Sequence, residues 1–190
     1  VLHLEKYWDP AQADEPIEVD ISGIVPQLGE GWKLSHEDTL GELGCYVMTA
    51  ETLPDLTTAA GQLAGRWTNA AATGWGGDRY VLLQKDDTLV LHMVTVWDTA
   101  RDAKQFYESI AGQSDHLDAS LGKLGGDTAM SSTKVELMED AQIVNVTFVA
   151  SKSVTRGIDE LVSGIEVTIV ESEKPEAAEE PMESEEAEAK

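Results

Sequence analysis

The stretch RYVLLQKDDTLVLHMVTVW, residues 79 to 97, decides the fold class of this chain. Two runs of strand-forming residues flank Asp86 and Asp87, a polar pair typical of the tight turn between antiparallel strands. The second run is apolar at successive positions from Leu89 to Val96, which indicates a strand covered on both faces. The stretch therefore predicts a β-hairpin whose second strand lies in the middle of a sheet.

Two helices are expected upstream of this hairpin. Ser35 followed by Asp38 resembles a helix start, because such a pair satisfies backbone amides that the first helical turn leaves unpaired. The apolar residues that recur at helical spacing after it are Leu40, Leu43 and Val47. A second helix is predicted to open after Pro54 with Asp55 as its cap, to run to about Ala72, and to end at Gly74.

Downstream of the hairpin, Asp98 or Thr99 is expected to cap a third helix. Its inward-facing residues are predicted to be Ala103, Phe106, Tyr107 and Ile110. A Gly- and Ser-rich loop with helical fragments extends to about Ser132, and the runs KVELME and QIVNVTFVAS then form a second hairpin around Asp140. A short helix over 155–162 and a strand, EVTIV, follow. Strand pairs separated by helices predict an α+β fold, with helices packed on a mainly antiparallel sheet.

Composition divides the chain into three parts. Residues 1–34 are interrupted by prolines and are expected to be extended, with IEVDI as a short edge strand, and to continue from an upstream part of a longer chain. Residues 35–170 form the α+β domain. Residues 171–190 read ESEKPEAAEEPMESEEAEAK, and we expect a disordered acidic tail because they lack the apolar surface that would offset the entropy of ordering.

The net charge of -23 excludes several classes of function. Nucleic acids and anionic lipids are bound through neutralisation of their phosphates by Lys and Arg, so neither is an expected partner. No apolar run approaches the roughly 18 residues that span a bilayer, so no membrane insertion is expected in this segment. Cys45 is the single cysteine, which excludes an internal disulfide, and its apolar neighbours predict a small core residue.

The sequence GWGGDRY, which leads into the hairpin, is the candidate for a functional loop. Its glycine spacing matches neither nucleotide-binding motif, and those motifs place the strand before the glycines and the helix after them. A structural role is favoured, in which Gly76 and Gly77 adopt positive φ and Trp75 packs under the loop. Asp78 would accept hydrogen bonds from backbone amides in the turn, where asparagine would serve nearly as well, and Arg79 would pair with Asp78 or a neighbour. A ligand-binding loop remains the alternative.

No catalytic residue, cofactor site or metal site is predicted. The four histidines fall on different elements, and neither a His-Glu-x-x-His helix nor a cysteine pair for zinc is present in the sequence. His92 is expected to be a satisfied core or edge histidine, although an enzyme that uses His92 and neighbouring carboxylates is a third-ranked alternative. The five tryptophans leave open a peptide- or glycan-binding cleft, in which Trp97 would join Trp75, because exposed indoles stack on sugars.

Three phrases of the sequence, taken in order, resemble one family of proteins. They are VLHLEKY at residues 1 to 7, GWGGDRY at 74 to 80 and VWDTARDAKQF at 96 to 106. The run TLGELGCYVM at 39 to 48 also matches, whereas Leu4 stands where a proline is usual. The family comprises bacterial and archaeal surface or lipoprotein-type proteins of poorly defined function that are zinc metallopeptidase-like. The likeness covers about residues 1 to 110.

The resemblance implies a non-catalytic role for this chain. In such proteins the His-Glu-x-x-His helix lies upstream, so this chain looks like the C-terminal region and none of the metal ligands is carried over. It would pack against the upstream domain of the parent chain or position its substrate, at an extracellular or cell-surface location. A free-standing extracellular module that binds a peptide or glycan in a Trp-lined cleft is the alternative.

Overall fold

The computed structural model of the protein describes residues 16–53, 55, 57–59, 68–125, 129–152 and 168–170. The strands in these ranges are β1 (Glu18–Asp20), β2 (Lys33–Asp38), β3 (Trp75–Lys85), β4 (Thr88–Trp97), β5 (Met130–Met138), β6 (Ile143–Ser151) and β7 (Thr168–Val170). The helices are α1 (Ile24–Leu28), α2 (Gly41–Thr49), α3 (Ala100–Ala111) and α4 (Ser114–Leu121). None of these helices combines the length and the apolarity that a membrane-spanning helix requires.

The sheet is antiparallel throughout and confirms the predicted α+β class. Five strands pair in the order β2-β3-β4-β6-β5, and β1 pairs with β7 in a separate two-stranded ribbon. In the predicted hairpin, Lys85 lies opposite Thr88 and Asp86 takes a φ of 51° in the turn, a conformation that aspartate tolerates. Apart from Leu89 and Leu91, every residue of β4 is buried, as predicted for a central strand.

The two faces of the sheet bury two separate apolar clusters, because successive side chains of a strand point to opposite faces. On one face, Val90 and Val94 of β4 pack with residues of β1 and α1 and with Trp32. On the other face, Met93 and Trp97 pack with residues of α2 and α3. We call these faces the β1 face and the helix face.

Helix α3 follows its prediction closely. Thr99 caps its first turn by accepting a hydrogen bond from the Asp102 amide, at 3.2 Å. Ala103, Phe106 and Ile110 are fully buried, and Tyr107 is half-buried at the edge of the same cluster. The Phe106 ring lies 4.7 Å from the Trp97 ring, centroid to centroid, which ties the helix to the end of β4.

The predicted helix start at Ser35 is wrong. Ser35 and Asp38 both lie in β2, and α2 begins only at Gly41. Strand β2 is paired with β3, for example Asp38 with Tyr80, and this tertiary pairing overrides the local preference of the two polar residues for a cap. A strand at the edge of the sheet also suits a polar sequence, since most of its side chains remain exposed.

The apolar face predicted for α2 is wrong at Leu43 and Val47, whereas Leu40 is partly buried against the cluster on the helix face. Leu43 and Val47 remain 50% and 47% exposed. The buried side chains are Cys45, Tyr46 and Thr49. The helix is therefore rotated so that the face carrying Cys45 packs into the cluster on the helix face.

Other predictions meet the structure only in part. The segment up to residue 34 contains the helix α1, which buries Ile24 and Leu28, and is therefore not extended throughout. The predicted strand IEVDI is present as β1, and the helical fragment expected in the Gly- and Ser-rich stretch is α4. The helix predicted for 54–72 lies partly outside the described residues, and its predicted end is wrong, because 69–72 form a turn in which the Asn69 side chain accepts from the Ala71 and Ala72 amides. The helix predicted for 155–162 and the tail at 171–190 lie outside the described residues.

Candidate binding groove

A groove of about 300 Å³ opens where the chain before and within β1 crosses the start of β3. Its walls are the segment 16–20, the end of β2 at Glu37, and Thr39 just beyond it. Its floor holds Trp75, Gly77, Asp78 and Arg79, which all belong to the heptapeptide that the sequence singles out. This heptapeptide is not a loop, because β3 begins at Trp75.

The glycines of the heptapeptide allow two backbones to approach, and the prediction of positive φ at Gly76 and Gly77 is wrong. In this turn the positive φ, 83°, belongs to Gly74. The Ile17 amide donates a hydrogen bond to the Gly76 carbonyl at 2.7 Å, and a Cβ on residue 77 would overlap the Ile17 carbonyl oxygen. Glycine at 77 is thus required by steric exclusion rather than by backbone conformation.

Asp78 connects the start of β3 to the first turn of helix α2. Its carboxylate is only 4% exposed and accepts hydrogen bonds from the Leu40 and Gly41 amides, both at 2.7 Å. It also accepts a bond from the Trp75 indole N–H at 2.9 Å. Leu40, the residue at the cap position of α2, makes no capping bond with its own side chain. Asp78 therefore serves as the cap of this helix, across the sheet, instead of bonding amides of its own turn.

Arg79 pairs with a residue of the neighbouring strand. Its Nε donates to Glu37 Oε1 at 2.9 Å, and Nη1 lies 3.5 Å from Thr39 Oγ1. The guanidinium is 37% exposed and the carboxylate 24%, so the bridge is partly screened by solvent and contributes about 1 kcal/mol or less. The sequence predicts that Arg79 pairs with Asp78 or with a neighbouring residue. In the structure its partner is Glu37, which the pairing of β2 with β3 brings beside it.

The electrostatics of the groove are acidic. Its lining residues include four carboxylates, on Glu18, Asp20, Glu37 and Asp78, against the guanidinium of Arg79. Hydrogen bonds from Ser22 lower the pKa of Asp20 and so favour its charged form. Sequence reasoning missed these wall residues. The alternation in IEVDI already indicates that Glu18 and Asp20 share the solvent side of β1, but no local signal connects them to Arg79.

The described tryptophans do not line a common cleft. Trp97 is 1% exposed, and its Nε1 donates to Thr95 Oγ1 at 2.8 Å on the helix face. Trp32 is buried in the cluster on the β1 face. Of the tryptophans in the described ranges, Trp75 alone lines the groove, and it is half-buried. Within the described part of the chain, a ligand in the groove would therefore meet one indole.

The remaining candidate residues lie in the core or on the sheet edge. Burial raises the pKa of the Cys45 thiol, which keeps it protonated and unreactive. His92 is 1% exposed, its Nδ1 lies 2.9 Å from Thr147 Oγ1, and burial lowers its pKa to about 4. His36 is exposed on β2, 4.0 Å from Asp38. No group of three or more His, Cys, Asp and Glu side chains in the described part of the chain is placed to hold a metal ion.

Comparison with known proteins gives a family and one distant structural neighbour. None of the curated proteins compared with this chain is significantly similar to it. The crystal structure of the extracellular domain of PknH from Mycobacterium tuberculosis is similar at 10% identity and a TM-score of 0.44, over 76% of this chain and 88% of that one. The model of a family defined as a domain of unknown function, DUF8575, matches residues 30–182. Because this match covers most of its length, the chain belongs to the DUF8575 family.

Proposed function

We propose that this chain is a non-catalytic domain that binds a ligand in the groove beside Arg79 and positions it for the rest of a longer protein. The observation that carries the proposal is the groove itself, which brings Trp75, Asp78 and Arg79 together with the segment 16–20. An open groove with one aromatic residue and several fixed polar groups is the kind of surface on which ligands are held.

The polar groups of the groove are held by hydrogen bonds within the protein, which supports binding rather than catalysis. Asp78 already accepts three hydrogen bonds, and Arg79 is paired with Glu37. The hydroxyl of Thr39 donates to the Asp78 carbonyl at 3.3 Å, and the Asp38 carboxylate accepts from the Thr39 backbone amide at 2.8 Å rather than from the hydroxyl. A nucleophilic hydroxyl requires an adjacent general base, and no carboxylate in the described part of the chain accepts a hydrogen bond from the Thr39 hydroxyl. Groups held in this way are preorganised to position a ligand.

The parent protein is part of the proposal. We infer a surface-exposed, metallopeptidase-like parent in which this domain contacts an upstream domain, and the support is the resemblance of VLHLEKY, GWGGDRY and VWDTARDAKQF to that family. The reading frame that encodes the chain tests this inference. An upstream sequence without a His-Glu-x-x-His helix would remove the peptidase connection.

Titration of the isotopically labelled protein, followed by NMR, tests the binding function. Peptide and glycan panels are added separately, and the indole N–H signal of Trp75 and the Gly77 amide signal are expected to shift. The indole signal of Trp97 is the internal control, because that side chain is buried on the helix face. A Trp75→Phe variant assigns the groove signal. If both panels leave the Trp75 and Gly77 signals unmoved, the binding function is wrong; if only glycans shift them, a single-indole sugar site replaces peptide binding.

A further inference from the structure

We infer that the groove recognises an ammonium or guanidinium group on an aliphatic stem, the side chain of a lysine or arginine in a peptide. This inference rests on the proposed binding function and names its ligand class. Three properties of the lining support it: carboxylate oxygens that accept no hydrogen bond, an indole ring whose N–H is already donated, and an excess of negative charge.

The carboxylates of the groove differ in how many oxygens remain to accept a hydrogen bond from a ligand. Both oxygens of Asp78 are occupied by N–H donors, and Glu37 Oε1 is occupied by Arg79. Glu37 Oε2 accepts no bond within the described ranges, and the exposed carboxylate of Glu18 has neither a hydrogen bond nor an ion pair there. Charge-assisted hydrogen bonds to such oxygens are about twice as strong as neutral ones, so a cationic donor is the group they would bind best.

The indole of Trp75 adds an apolar and aromatic surface. Its N–H is donated to Asp78 at 2.9 Å, so the polar end of the side chain is not left for a ligand. What remains is the ring, and tryptophan is the best aromatic partner for a cation. Pro16 and Ile17 form the apolar part of the opposite wall, against which the methylene stem of a lysine or arginine would pack.

The sign of the charge opposes an anionic ligand. The Arg79 charge is compensated by Glu37, and no other lysine, arginine or histidine is among the lining residues of the described groove. Glu18 is left without a cationic partner among the same residues, and Arg79 adds only a minor attraction to Asp20, behind the hydrogen bonds from Ser22. The whole chain carries -23, so its long-range field also concentrates cations rather than anions near the groove. An acidic peptide would be repelled at long range and would find one partly neutralised guanidinium.

The test uses capped pentapeptides that differ at one central residue: lysine, arginine, acetyl-lysine, norleucine or glutamate. The lysine and arginine peptides are expected to shift the Trp75 indole signal and to bind more weakly as salt is raised. The acetyl-lysine peptide keeps the stem but loses the charge, and about tenfold weaker binding is expected from it. Butylammonium is included because it carries the same group without a peptide backbone.

A matched pair of variants assigns the effect to the groove. Glu18→Gln removes one exposed groove charge and should weaken the lysine peptide about two- to fivefold, the range expected for an exposed ion pair. Glu108→Gln removes one exposed charge from α3, outside the groove, and should leave the affinity unchanged. Melting curves of both variants show whether either change disturbs the fold.

The outcomes separate this inference from the proposed function. Equal binding of the norleucine and lysine peptides, with shifts at Trp75, would overturn the cation specificity and leave the binding function standing. Butylammonium binding as tightly as the lysine peptide would overturn the assignment to a peptide. Absence of any shift at Trp75 or Gly77 with every probe and with both panels would overturn both proposals.

Discussion

Replacement of Asp78 by asparagine should destabilise the protein strongly, although the two side chains have the same shape. The carboxylate receives three N–H donors, from Leu40, Gly41 and Trp75, at 2.7 to 2.9 Å in a site that is 4% exposed. An asparagine offers one acceptor oxygen, and its amide NH₂ must then point at a donor. The sequence alone places Asp78 in a turn with local amides and therefore predicts a smaller effect.

The magnitude follows from the three bonds. With the oxygen of asparagine in place of Oδ1, the bonds from Gly41 and Trp75 survive and the Leu40 amide faces another donor. Leaving a buried donor unsatisfied costs about 1–3 kcal/mol. Loss of the negative charge at the N-terminus of α2 adds about 0.3–1 kcal/mol. Together we expect a loss of about 1–4 kcal/mol in the free energy of unfolding.

Urea denaturation followed by circular dichroism measures this loss, and hydrogen exchange locates it. The Leu40 and Gly41 amides should exchange faster in the variant than in the wild type, because their acceptor is weakened. Asp140→Asn is the control, since Asp140 is exposed and the same charge is removed. A loss within about 0.5 kcal/mol, the usual range for surface substitutions, together with unchanged exchange at both amides would refute the capping role of Asp78.

Two further predictions concern the strand crossing and the buried histidine. Gly77→Ala should lower the free energy of unfolding, measured by urea denaturation, by about 1–3 kcal/mol, because its Cβ would overlap the Ile17 carbonyl. Gly76→Ala is the comparison: its Cβ would meet its nearest atom at 3.3 Å, and the loss should be less than about 1 kcal/mol. Equal losses would contradict the close approach of the two backbones. Burial lowers the pKa of His92 from 6.5 to about 4, so the folded state resists protonation and stability is lost as pH falls through this window, by about 3 kcal/mol in total. His92→Gln should remove that part of the pH dependence of unfolding, and an unchanged profile would show that His92 is not the titrating group.

Local sequence patterns were sufficient for the centre of the fold. The hairpin of β3 and β4, the capped helix α3 and the hairpin of β5 and β6 all follow from features within about ten residues: alternation, turn residues and helical spacing. Such signals succeed because the apolar residues they place on one face are the ones the sheet buries.

Tertiary pairing decided the elements that local patterns misassigned. Ser35 and Asp38 have the residue types of a helix start, yet pairing with β3 makes this segment an edge strand. The anchor of α2 then comes from Asp78, 37 residues beyond Gly41. Packing against Met93, Trp97 and helix α3 goes with burial of the side of the helix that carries Cys45. A five-residue helix such as α1 is too short to show a periodic pattern of its own.

The groove shows the same division most clearly. From the sequence alone, GWGGDRY is recognisable as an unusual segment in which glycines, an indole and an ion-forming pair lie together. What each residue does depends on partners far along the chain: Glu37 for Arg79, 42 residues away, and Ile17 for Gly77. The physical reason is that steric exclusion and buried hydrogen bonds act between whichever atoms the fold brings together. The spacing of residues along the chain does not indicate which atoms come together, so only the tertiary structure determined these contacts.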